Sequence, residues 1–250
     1  SHNLQLSILL NEMQRWNPGM GFEREIEYSF FPALNIWSAA FTNISGFDLT
    51  LLTRFFYPIL SGSLTLTLYY LAMRTILPKK IATMATFVLC LNQYFVFFDG
   101  QYHHESFGLV FFAMYLWAIF NAYFQKRMDR RFILIGVLAA ISTVMSHHWT
   151  AYNLVLLSAV FFVLPSAYAY LLDLIHRRNY QQAPKPRLAV VMIALVILFS
   201  WMVFVANIVF TSHSQYASQF LDSILNPLST EHPSPTLAGY SIEEKILILL

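Results

Sequence analysis

Two short stretches carry most of the residues able to do chemistry. Phe98-Asp99-Gly100-Gln101-Tyr102-His103-His104-Glu105 places two carboxylates beside two imidazoles, and Ser146-His147-His148-Trp149-Thr150 supplies a second His-His pair. Carboxylates next to imidazoles suit general acid–base work. Imidazoles with a nearby arginine, here Arg54, suit a phosphate or pyrophosphate. A base for an acceptor hydroxyl and cations for a departing phosphate are what transfer from a lipid-phosphate donor requires. His, Tyr and Trp at helix ends also act as interfacial anchors, which is the plain alternative. Zinc is disfavoured because no His-Glu-x-x-His occurs, and adjacent His-His-Glu residues point to different faces of one helix.

The elements that must hold these residues are apolar helices. Hydrophobic residues make up 57% of the 250-residue chain and charged residues 11%. A soluble domain is typically about 45–50% apolar and about 25% charged. Six apolar runs, 55–77, 82–98, 106–124, 132–146, 149–172 and 188–210, are at or near the length that crosses a bilayer, and a further run begins at 242. Eleven of the fifteen Lys and Arg residues fall in alternate connections: Arg74, Lys79 and Lys80; Lys126, Arg127, Arg130 and Arg131; Arg177, Arg178, Lys185 and Arg187. Of the acidic residues, only Asp129 and Asp173 keep them company. Basic connections face the cytoplasm. Both His-His pairs, and the Asp99–Glu105 stretch, then lie on the opposite, outer side.

The expected fold is all-α: a polytopic integral membrane protein fragment with six transmembrane helices, the start of a seventh, and an outer-side interfacial helical loop. Residues 1–54 form that outer loop, 55–210 the six-helix bundle, 211–241 a further outer loop and 242–250 the start of another span. Leu6, Leu9, Leu10 and Met13 recur at helical spacing and read as a short interfacial helix ended by Pro18-Gly19. The stretch 28–47 is apolar but interrupted by Pro32, Asn35 and Asn43, so it reads as interfacial or re-entrant. Glu23, Arg24, Glu25 and Glu27 are a solvated surface or one wall of the outer cavity. A start at Ser1-His2-Asn3 and an end inside an apolar run predict a piece of a longer protein. The lone Cys90 excludes an internal disulfide. The basic connections read as topology determinants and anionic-lipid contacts, so no nucleic-acid partner is expected.

Tyr28-Ser29-Phe30-Phe31-Pro32-Ala33-Leu34 followed by Ile44-Ser45-Gly46-Phe47, with Tyr102-His103-His104-Glu105 opening one span and Ser146-His147-His148 closing another, resembles the GT-C superfamily. These are integral membrane glycosyltransferases that use polyprenyl-phosphate sugar donors. The resemblance covers most of the chain loosely. It implies an outward-facing site, a lipid-phosphate sugar donor, a product in cell-surface glycan assembly, and often a divalent Mg or Mn ion. The family's second acidic motif matches Asp99 and, less closely, Glu105, either of which would be the metal ligand. No Asp-x-Asp occurs in this sequence.

The expected function is sugar transfer from a polyprenyl-phosphate-linked donor at the outer leaflet. Asp99, Glu105, His103 and His104 are the candidate catalytic residues, and His147, His148, Arg54, Tyr102 and Arg24 the candidate substrate contacts. The bilayer, the lipid-linked sugar and other subunits of a membrane complex are the expected partners. A transporter or lipid flippase, or a non-catalytic subunit of a membrane complex, is the alternative. A transporter calls for ionisable or helix-breaking residues at mid-membrane on several spans. These runs carry few beyond Pro58 and Pro165 near their ends.

Overall fold

Proline, glycine and asparagine set the boundaries of the first helices. In the computed structural model, which describes residues 7–8, 30–93, 95, 102–124, 130–164, 167, 188–207, 209, 211, 214–215 and 218, helix α1 (Ala33–Ser45) starts behind Pro32. It stops at Gly46, whose φ of 68° lets its N–H close back on the Thr42 carbonyl at 2.9 Å. That left-handed conformation disfavours any residue with a Cβ. Asp48 then caps α2 (Leu49–Ile76), its carboxylate accepting the Leu51 N–H at 2.9 Å.

Pro58 explains an irregularity in α2. Proline has no N–H to donate and its ring crowds the carbonyl four residues back. The chain answers with a π-helical turn at Leu52–Phe56, in which the Tyr57 N–H reaches the Leu52 carbonyl, five residues earlier. Arg54 lies exposed on this turn, within a helix that begins before residue 55.

Leu77-Pro78 forces an extended connection to α3 (Lys79–Leu91). The apolar run 82–98 does not continue as one helix. Asn92 turns out at φ −72° and ψ 113°, and its side-chain oxygen accepts the Phe95 N–H at 3.2 Å. Asparagine competes in this way with backbone helix bonds. Among the described residues the longer helices that follow are α4 (His104–Phe124), α5 (Arg130–Ser146), α6 (His148–Phe162) and α7 (Leu188–Phe204). No strand occurs among the described residues. Among the described residues two helices, α2 and α4, are long and apolar enough to cross a membrane.

The chain divides into two units, Ser1–Asn207 and Ile208–Leu250. In the second, Ser214 and Ser218 bond back to the carbonyls of Thr211 and Gln215. In the first, α4 is the central helix, packed on α2, α5 and α6. Its lower half builds the core: Tyr115, Leu116, Ile119 and Phe120 pack with Ala139 and Ala140 of α5 and Leu154 and Phe162 of α6. Small residues let α4 and α5 approach. Ala118 and Ala122 on one, Gly136 and Ala140 on the other, recur at four-residue spacing and are buried.

A Cβ on Gly136 would stand 2.7 Å from the tip of Ile119. That tip can rotate away from one methyl group but not from a branched side chain. Gly136→Leu should therefore lower stability by about 1–3 kcal/mol, with Gly136→Ala much milder. Thermal melting of both variants in detergent, followed by circular dichroism, checks this; equal melting temperatures would mean the helices are not in close contact.

Outward faces are apolar as well. Ile59 on α2, Met84 and Phe87 on α3, Leu134 on α5 and Phe199 on α7 are each at least 60% exposed. Helices that are apolar on both faces do not match water on the outside.

Candidate functional site

The His103 carbonyl begins helix α4, accepting the Phe107 N–H at 3.3 Å, the Ser106 hydroxyl at 2.7 Å and the Tyr57 hydroxyl at 3.2 Å. Tyr57 is aimed there from α2, directly after the π-helical turn, and its hydroxyl also lies 2.8 Å from Ser106 Oγ. With the start of α4 so fixed, Glu105 sits in its first turn, where the helix dipole favours a negative charge.

His147 is a one-residue corner between α5 and α6. It is extended, at φ −163° and ψ 131°, and its carbonyl opens α6 by accepting the Ala151 N–H at 3.1 Å. This break turns its imidazole toward α4. Glu105 Oε1 lies 3.3 Å from His147 Nε2, and Glu105 Oε2 lies 3.1 Å from His103 Nδ1. One carboxylate therefore spans two imidazoles from two different hairpins. His103 Nδ1 also lies 3.5 Å from the Glu105 backbone N–H, farther than the 3.1 Å to Oε2, which is an ion-pair contact and not a hydrogen bond.

The remaining imidazoles pack behind. The His148 ring lies 4.7 Å from that of His147 and 5.3 Å from Phe31. His104 is fully buried beside the Ser146 carbonyl, where the start of α4 meets the end of α5. Burial, and after it the neighbouring imidazoles of His148, His104 and His103, holds His147 far below its ordinary range. His147 is thus a neutral ring, giving its Nε2–H to Glu105 and presenting Nδ1 to the Thr150 hydroxyl 3.3 Å away. Helix α4 comes close here as well. A Cβ on Gly108 would stand 3.2 Å from Thr150 Oγ1, so the glycine keeps that hydroxyl in place.

Tyr102 belongs to a second network. Its hydroxyl donates to Ser38 Oγ at 2.7 Å and lies 2.6 Å from Ser7 Oγ, which in turn gives its proton to Asn35 Oδ1 at 2.8 Å. Burial raises the Tyr102 hydroxyl to about 12, so it remains a donor. Its role is to pin α1 and the Ser7 segment beside His103.

No protein family, curated protein or solved structure matches this chain.

Of the residues singled out by type and spacing, His103, Glu105 and His147 meet directly, the tilted His148 ring packs against His147, and His104 and Tyr102 are buried supports. Arg54 is exposed on α2. Asp99 and Arg24 lie outside the described residues, as do most of 1–29 and the acidic cluster at 23–27. Tyr57, Ser106 and Thr150 were not legible as parts of the site. Thr150, three residues past His147 at a helix start, carried the only local signal.

A hard divalent ion such as Mg or Mn requires several oxygen donors. Among the described residues the cluster offers one carboxylate, with both oxygens facing imidazole nitrogens, and no group of three His, Cys, Asp or Glu is arranged to hold a metal. Among the described residues these donors do not fit such an ion.

Proposed function

We propose that this chain belongs to a multi-pass membrane glycosyltransferase that takes a sugar from a polyprenyl-phosphate donor on the non-cytoplasmic side. The observation that carries this reading is the Glu105 carboxylate bridging His103 and His147 at one end of the helix bundle. A carboxylate on Nδ1 of an imidazole fixes the tautomer, makes Nε2 the basic nitrogen and stabilises the imidazolium formed when it takes a proton. Of the two imidazoles, His103, with a side chain 26% exposed against 4% for His147, is the one that can meet an acceptor.

In the proposed step, the acceptor oxygen forms a bond to the anomeric carbon and its proton passes to His103 Nε2. The bond from that carbon to the phosphate oxygen breaks, and the electron pair leaves with the polyprenyl phosphate. Glu105 is then a positioning residue. Arg54 is the candidate cation for the phosphate.

The membrane setting rests on the alternating Lys and Arg pattern and on the exposed apolar faces of α2, α3, α5 and α7. Six spans with the imidazoles outside is the arrangement proposed. It is tested in spheroplasts with single-cysteine variants in a Cys90→Ala background. A membrane-impermeant maleimide should label Trp149→Cys and spare Met128→Cys, and the reverse pattern would put the site on the wrong side. For the chemistry, His103→Ala should abolish transfer of labelled sugar from a polyprenyl-phosphate donor in proteoliposomes. Undiminished turnover would remove His103 from the reaction.

A further inference from the structure

Beneath the imidazole cluster lies a cavity of about 150 Å³ between α1, α2 and α4, bounded by Trp37, Tyr57, Leu60, Leu64, Phe107 and Phe111 among others. Its lining is almost wholly apolar. Tyr57 joins it to the polar site: the ring forms one wall of the cavity, while the hydroxyl bonds to the His103 carbonyl. Phe107, also on the wall, lies 5.6 Å from Trp37 and 6.2 Å from Tyr57, one turn below His103. We propose that this cavity seats the isoprene unit nearest the phosphate of a lipid substrate whose head group lies at His103 and Glu105.

The proposal rests on the glycosyltransferase reading and adds to it the place and chemistry of the lipid's first apolar unit. A cavity of about 150 Å³ holds one group the size of benzene. One branched five-carbon unit is of that order, whereas a straight acyl chain needs a long, narrow groove. Four aromatic rings offer faces to its methyl groups and double bond. The polar end follows from the Tyr57 hydroxyl: anything filling the cavity stops at the level of Ser106 and His103, where its charge must sit. Apolar floor and polar rim together match an amphiphile with its branch point close to its head.

The test uses the full chain in phosphatidylcholine liposomes and a farnesyl phosphate carrying a diazirine on its first isoprene unit. Photolabelling should fall within 57–64 of α2 or 107–114 of α4 and be competed by unlabelled farnesyl phosphate. Leu64→Trp and Met114→Phe, which fill the cavity from two sides, should each reduce labelling by about tenfold or more. Glu105→Gln, which leaves the cavity unaltered, should keep the labelled positions. Labelling spread over outward residues such as Phe87 and Leu134, or equal competition by dioleoylphosphatidic acid, would overturn the isoprenoid site. Cavity labelling without sugar transfer would retain the site and defeat the transferase reading; transfer without cavity labelling would do the opposite.

Discussion

Glu105→Gln is expected to lower sugar transfer by about two to four orders of magnitude while the protein stays folded. The amide keeps the shape of the carboxylate but replaces one oxygen with an N–H₂ donor. One of the two imidazole nitrogens now at 3.1 Å and 3.3 Å must then face a donor instead of an acceptor. If His103 yields, its proton moves to Nε2 and the basic nitrogen turns inward. If His147 yields, its bond to Thr150 is reversed as well. In either case no negative charge remains to stabilise an imidazolium, which is why the loss falls on turnover more than on donor binding. Steady-state rates in proteoliposomes separate the two. A variant with normal turnover and weakened donor affinity would make Glu105 a binding group and leave the His103 dyad without support.

Acid should destabilise the folded chain through His147. Its folded-state affinity for a proton lies far below the ordinary histidine value because burial and three neighbouring imidazoles oppose the charge. Above about pH 6.5 neither folded nor unfolded chain holds this proton, and the residue has no pH-dependent effect. As pH falls below that value the unfolded chain takes up the proton and the folded chain does not. Stability is therefore lost on acidification, at up to about 1.4 kcal/mol per pH unit for one group. Between about pH 6.5 and pH 5 the loss amounts to about 2 kcal/mol. His147→Asn should flatten the fall in melting temperature over that interval. A variant as acid-sensitive as the parent would assign the effect to another group.

The cluster was half legible in the sequence. His-His-Glu and His-His marked both halves, and the scarcity of ionisable residues elsewhere made them stand out. What joined them was less visible. A single extended residue at His147, rather than a loop, turns its ring toward α4, and no proline or glycine at that corner announces the break. The roles also divided differently from their chemistry. His104 and His103 are adjacent and alike in type, yet one is sealed against the Ser146 carbonyl and the other is part-exposed on the rim.

Local signals fared best where the backbone itself enforces them. Pro32, Pro78 and Gly46 bound helices where proline and glycine must, and the described part of the interrupted stretch, 30–47, contains helix α1. Asn92 shows the opposite case. Hydropathy averages over a residue whose side chain takes over a backbone N–H, and the apolar run broke there.

Residue type and periodicity alone determined an all-helical chain with apolar surfaces, because composition and 3.6-residue spacing act through neighbours along the chain. Which imidazole shares a carboxylate, and which is buried, depended on contacts between residues more than forty positions apart. Those are set by how closely Gly108 and Gly136 let helices approach, a distance no local pattern encodes.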